Sequence, residues 1–445
     1  MKSTLRVPNK ILFPFFAEMS DANRKWNLMN WQTSYVSATM FAPFLFFFFA
    51  NGAPLAEPHS DLPQIAPRKV PLLPLPEKGR RVQVSTADEL AAAVDNTRDG
   101  DVILLADGVY RVGRFLNLDH VKDVSFRGAS NDPTKVILRG RGFDEVSRGD
   151  DILRIAGCEN VTVAYVTFAD CHAYGLKVEA EHSPKNVHVY HCHFLNIGTR
   201  GLKGSTAQRT VAAGGSIRYC HFENTKVPPG DWQFGGNYIS AIDMMSLEDW
   251  TISDNTFVNI KGHSGGGRAA IFVWVRSRRI VVERNRIVNC DRGIALGNPS
   301  GSSNYMEGML HAYDSICRNN FIVAGPDAGI ELAWVDGVKI YNNTVWRQDL
   351  KGRGIRCIEK IHNVEIANNL VRGAIALAEG EKVRNNLAGP FDGWFVDPAA
   401  GNLHLTAQAI DAIDRGLVLP EIVDDIDGRP RGRSPDIGAW EFTGK

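Results

Sequence analysis

Three glycine-rich stretches gather the residues of this chain best suited to acid–base work on a polyanion. They are NTKVPPGDWQFGGNYI at 224 to 239, NIKGHSGGGR at 259 to 268 and NPSGSSNYMEGMLHAY at 298 to 313. A histidine titrates near neutral pH and can take a proton from carbon. A cation beside it can neutralise a carboxylate and so acidify that carbon, and a third group can protonate a leaving oxygen. His263 is the candidate base, Lys261 or Arg268 the carboxylate holder, and Tyr305 or His311 the acid, with Arg276 following closely. Together these are the requirements of β-elimination beside a carboxylate. Aromatic faces stack on sugar rings and cations pair with carboxylate or sulfate, so Trp232, Phe272 and Trp274 join the candidate binding residues.

These stretches interrupt a repeat. From about Ile152 to Leu387 one phrase returns, hydrophobic-x-hydrophobic-x-x-(Asn or Cys)-x-hydrophobic, as in VHVYHCHF at 187 to 194, WTISDNTF at 250 to 257 and VKIYNNTV at 338 to 345. Alternation within each copy marks a short strand with one face inward, and recurrence marks a solenoid of stacked coils. Nine copies align Val166, Cys192, Cys220, Asn255, Asn285, Asn319, Asn343, Asn369 and Asn386 at the corner after a strand. A carboxamide donates and accepts at once, so a stack of asparagines satisfies the backbone of successive corners. Each such bond contributes about 1 kcal/mol net, whereas an unmet buried amide costs about 1 to 3 kcal/mol.

A further strand, commonly opened by glycine, follows each corner: GLKVEA from 175, GLKGST from 201, SAIDMMS from 240, AAIFVWV from 269, GIALGN from 293, GIELAWV from 329 and GIRCIE from 354. With Leu176, Leu202, Ile242, Ile271, Ile294, Ile330 and Ile355 inward, alternation sends Lys177, Lys203, Asp243, Phe272, Ala295, Glu331 and Arg356 outward. Lys203, Trp232, Asp243, Phe272, Trp274, His311 and Glu331 are therefore the expected substrate-binding set. Hydrolysis needs two carboxyl groups about 5 to 9.5 Å apart. Asp243 and Glu331 fall three coils apart, hence about 14 Å at a spacing near 4.8 Å. A lyase is the leading expectation, a noncatalytic carbohydrate-binding surface protein the second, and a glycoside hydrolase the third.

Residues 1 to 56 form an expected targeting segment around the apolar run TMFAPFLFFFFA, giving a secreted or periplasmic protein if cleaved and a membrane-anchored one if not. Residues 57 to 80 are a proline-rich linker, 81 to 390 the solenoid, and 391 to 445 a C-terminal cap. Thr86 and Glu89 form a capping-box pattern before an alanine-rich helix that covers the first coil. With 50 basic and 50 acidic residues the chain has no global attraction for nucleic acid, and a monomer is expected. Seven cysteines leave at least one thiol unpaired; Cys192, Cys220 and Cys357 are placed inward, and Cys158, Cys171, Cys290 and Cys317 at turns or outward positions. No cofactor is required by the sequence, and the metal, if any, is unknown.

The asparagine column, the leading helix and the first-coil phrase DGDVILLADGVYR at 99 to 111 resemble the right-handed parallel β-helix of the pectin lyase-like superfamily. That resemblance implies an all-β solenoid with its polysaccharide groove over the first sheet. The layout of SAIDMMSLEDWTISDNTFVNIKG and AAIFVWVRSRRIVVERNRI is similar to the alginate lyase and chondroitinase B family, which places Arg276 near that family's catalytic arginine. The family's lysine falls near Ser246, and its acidic calcium ligands fall near Ile239 and Ala241. Asp243 alone is a poor calcium site, because that ion takes six to eight oxygens.

Overall fold

The computed structural model describes residues 68–146, 150–206, 210–299, 309–377, 379 and 381–444. The expected targeting segment lies outside them, as do Tyr305 and residues 57 to 67 of the linker. Within 68–444 the chain is nearly all β and winds as a parallel β-helix. From Leu116 to Ala388 every coil gives a strand to each of three faces. The third sheet is a separate ladder of eleven strands, from Gly108–Arg111 to Leu387–Ala388, all parallel. The first and second sheets are joined by hydrogen bonds into one assembly of 26 strands.

Interior residues stack on their own kind. Phe168, Phe194, Phe222 and Phe257 pair in register and lie with ring centroids 5.0, 4.5 and 4.9 Å apart. Offset stacking contributes beyond apolar burial and fixes the coil-to-coil register. On the first sheet Leu176, Leu202, Ile242, Ile271, Ile294, Ile330 and Ile355 form one continuous buried row, as alternation predicts. The opening glycines are steric: a Cβ on Gly201 would meet the Ala241 carbonyl oxygen at 2.7 Å, and one on Gly293 the Gly329 oxygen at 2.3 Å. The helix Ala87–Asp95 carries the expected capping box, with Glu89 N–H donating to Thr86 Oγ1 and Thr86 N–H donating to Glu89 Oε2. Its buried Leu90 and Val94 join the core.

The asparagine column differs from expectation at one coil. The ladder runs Cys220, Asn255, Asn285, Asn320, Asn343, Asn369, Asn386, each Oδ1 accepting from the amide before it, so Asn320 holds the place assigned to Asn319. Asn319 belongs to a second column one residue earlier. There Tyr165, His191, Tyr219, Asp254, Arg284, Asn319, Asn342, Asn368 and Asn385 all take φ between 47° and 61°. Asparagine tolerates the left-handed region best among residues with a side chain, which accounts for the Asn-Asn doublets of the later coils.

Two segments dock along this corner. The described part of the proline-rich stretch is not a free linker: Tyr190 Oη donates to the Pro71 carbonyl at 2.6 Å, Leu73 N–H to Tyr165 Oη at 2.7 Å, and Arg68 pairs with Asp254 at 2.8 Å. The C-terminal segment lies along the flank rather than only across the last coil. Asn319 and Asn368 donate to the carbonyls of Asp424 and Leu417, Arg284 pairs with Asp424, and Arg286 with Asp427. Phe395, Leu403, Leu405, Ile426, Ile437 and Trp440 cover Val288, Phe321, Val323 and Leu370 on the outer face of the third sheet. All seven cysteines are buried and unbridged, and Cys158, Cys171, Cys290 and Cys317 sit in the core rather than at outward positions.

Candidate functional site

Register pairing sets Lys177, Lys203, Asp243, Phe272, Ala295, Glu331 and Arg356 in one row on the outer face of the first sheet, as alternation predicts. Neighbouring side chains close over much of that row. Arg200 Nε meets Asp243 Oδ2 at 2.5 Å, Lys203 Nζ meets the same oxygen at 3.0 Å, and Trp274 Nε1 donates to Oδ1 at 2.9 Å. Burial opposes ionisation of Asp243, yet Lys203 and Arg200 outweigh it and hold the carboxyl at about 2. Glu331 is fully buried between Arg292, at 2.8 Å, and Arg356, and both arginines also engage Asp327. Lys203, Asp243 and Glu331 thus form internal ion networks, and two of their partners, Arg200 and Arg292, were not singled out from the sequence. Alternation reports which way a side chain leaves the sheet, not what folds over it. Phe272 stacks on Trp274 at 5.1 Å within a small apolar patch with Met245, Val275 and Ala295.

Along the upstream margin of this sheet, the loop at 261 to 268 closes around Asp291. One carboxylate oxygen accepts the Gly262 N–H at 2.8 Å and the Gly267 N–H at 2.9 Å, and burial raises the carboxyl's pKa. His263 is exposed at the tip, its N–H donating to the Gly236 carbonyl, and a Cβ on Gly230 would meet its ring at 2.9 Å. Lys261 is half-buried in the same loop. The guanidinium of Arg268 lies 5.3 Å over the ring of Phe234 and makes no ion pair among the described residues. Burial lowers its pKa, assisted by Arg200 and Arg292. Phe234 is 66% exposed, Tyr238 packs on it at 5.4 Å, and Arg200 lies 3.7 Å over Tyr238. Sequence reading missed both rings; the signal was an aromatic pair at a spacing of four within a loop already marked as expanded. Trp232 packs instead toward earlier coils, on His172 at 4.3 Å and Phe143 at 5.4 Å.

Arg276 and His311 lie at the opposite margin. The strand Ala269–Trp274 spans about 17 Å, so the sequence candidates separate into two groups rather than one constellation. Val275 and Arg276 both take left-handed conformations at this corner, with φ of 50° and 55°. His311 is buried, its Nδ1 accepts the Val275 N–H at 3.1 Å, and burial lowers its pKa to about 4. Among the described residues no three His, Cys, Asp or Glu side chains converge as a metal site. Asp243, bracketed by two cations and an indole N–H, does not fit calcium.

The family described as Right handed beta helix region matches residues 151–309. No curated protein matches the sequence. Among solved structures, pectate lyase Pel9A superposes with a TM-score of 0.53 at 12% identity, over 82% of this chain and 97% of that one. The tailspike protein of E. coli bacteriophage HK620, solved in complex with a pentasaccharide, gives 0.46 at 12% over 66% and 55%. An alginate lyase from Paenibacillus sp. str. FPU-7 gives 0.39 at 12% over 69% and 99%. At 12% identity the likeness to pectate lyase Pel9A speaks to architecture alone. With three parallel faces, a buried carboxamide column and a family match across its central coils, this chain is a right-handed parallel β-helix protein.

Proposed function

We propose that the chain is an exported protein that binds an acidic polysaccharide over the first sheet and cleaves it by β-elimination. The observation that supports this most is Arg268, a guanidinium with no ion-pair partner among the described residues, set on an exposed phenylalanine ring at the end of the loop that carries the exposed His263. A cation left uncompensated at a partly dry site favours an anionic ligand, and the free face of Phe234 suits a sugar ring. Arg268 with Lys261 neutralises the uronate carboxylate, which makes the adjacent C–H more acidic. His263 takes that proton, the electron pair forms the C=C bond, and the C–O bond to the next sugar breaks. The leaving oxygen takes a proton from solvent or from the sequence candidate Tyr305, which lies outside the described residues.

Incubation with alginate, pectate, chondroitin sulfate and ulvan, following the absorbance of the unsaturated product, tests the reading. New reducing ends without that chromophore would indicate hydrolysis. His263→Ala and Arg268→Ala, made separately, test the site: full activity in both removes the assignment. A noncatalytic binding protein is the second reading, favoured by the occupation of Asp243 and Glu331 by arginine and lysine. It predicts retention on a polysaccharide column with neither signal.

A further inference from the structure

At the downstream corner of the first sheet Ser277, Ala312, Val335 and Ile361 pair in register on four successive coils. The residues immediately before them, Arg276, His311, Trp334 and Lys360, therefore stand in one column about 4.8 Å apart. His311 N–H donates to the Trp334 carbonyl at 2.6 Å, which ties the third coil of the column to the second. His311 Nδ1 accepts the Val275 N–H, so the ring's hydrogen is carried by Nε2. That Nε2–H is buried with no acceptor among the described residues, and so is the indole Nε1–H of Trp334. The residues are 1% and 8% exposed, and their rings lie 6.5 Å apart at 81°. Lys360, exposed, holds its ammonium 4.5 Å over the Trp334 ring. Buried donors left unmet are costly, and two adjacent ones flanked by cationic side chains call for a ligand that only accepts.

We infer that this column is a second subsite, which takes the oxyanion of a sugar, carboxylate or sulfate ester, through His311 Nε2–H and Trp334 Nε1–H, with Arg276 and Lys360 supplying charge. The inference rests on the acidic-polysaccharide reading but not on elimination. A group about 17 Å across the strand from Arg268 engages a different sugar from the one whose proton His263 takes.

The test uses the full chain labelled with ¹⁵N and follows the indole N–H resonances, that of Trp334 being assigned by its loss in Trp334→Phe. Oligogalacturonate presents carboxylates alone, a sulfated galactan oligosaccharide sulfates alone, and a xylo-oligosaccharide neither. The Trp334 resonance should move with at least one anionic probe and stay with the neutral one. Trp334→Phe and His311→Phe should each weaken that binding at least tenfold, and Lys360→Ala about threefold. Should His311→Phe fail to fold, Trp334→Phe and Lys360→Ala carry the test. The subsite is overturned if a bound anionic probe leaves Trp334 unmoved, if the neutral sugar moves it equally, or if no anionic probe binds at millimolar concentration. A moved Trp334 without unsaturated product retains the subsite and removes elimination; unsaturated product with an unmoved Trp334 does the reverse.

Discussion

Arg200 and Asp243 meet at 2.5 Å on neighbouring coils, each side chain 1% exposed, with Lys203 completing the triad. Breaking a buried pair by removing one member strands the other charge and costs about 3 to 5 kcal/mol. Asp243→Ala leaves Arg200, Lys203 and the Trp274 indole without their acceptor and should lower stability by that amount in urea unfolding. Asp243→Asn keeps an acceptor and should cost less. Two variants as stable as the parent would mean that the triad does not hold these coils together.

The ladder makes a sharper comparison between adjacent residues. Asn320 is fully buried, donates to the Val282 carbonyl and Asn343 Oδ1, and accepts from the Asn285 amides. Asn320→Ala orphans several of these groups at about 1 to 3 kcal/mol each, so a loss of about 3 to 5 kcal/mol is expected. Asn319→Ala removes contacts with Asp424 and Arg431 at a left-handed position and should cost about 1 to 2 kcal/mol. Its effect should appear as faster hydrogen exchange around 424 to 431, with the coils unchanged. Equal losses would return Asn319 to the ladder.

What could be read from the sequence follows from which interactions repeat. The inward row from Leu176 to Ile355 and the capping box of Thr86 and Glu89 depend on local period and hydrogen bonding, and both are where the spacing puts them. The Asn319–Asn320 slip arose because both residues are asparagine, and the φ of 53° and the ladder hydrogen bonds that distinguish them belong to the folded chain. The site was less legible. Lys203, Asp243 and Glu331 leave the sheet outward, but long side chains from adjacent coils bury them, and no single-strand pattern encodes that. Trp334 and Lys360 entered the downstream column only through the register of Val335 with Ile361, which skips a residue at a bulge.

Asp291 organises the loop that carries Lys261, His263 and Arg268. Asp291→Ala removes the acceptor of the Gly262 and Gly267 N–H groups, and a glycine-rich loop has little else to order it. Proteolytic nicking within 261 to 268 should become faster, with the thermal midpoint of the coils nearly unchanged. If the loop carries the chemistry, turnover should fall at least tenfold. A protease-resistant Asp291→Ala loop would show that Asn237, which contacts Ser264, suffices to hold it.

Asp436 gives the C-terminal flank a pH dependence of unusual sign. It is 2% exposed, and burial pushes its carboxyl up to about 6 although Phe442 and Asp414 N–H groups donate to it at 2.6 and 2.7 Å. An unfolded aspartate titrates near 3.9, so between about pH 4 and 6 the folded chain binds more protons than the unfolded one. Stability contributed by this group therefore falls as pH rises through that window, by about 3 kcal/mol in all, and is flat above it. Asp243 and Asp427, both held at about 2, act in the opposite direction and only below about pH 4. Urea midpoints of the parent and of Asp436→Asn, compared at pH 4.5 and 7, isolate the term: the parent should lose more stability than the variant on going to pH 7. Parallel shifts in the two proteins would show that Asp436 is already ionised at the lower pH.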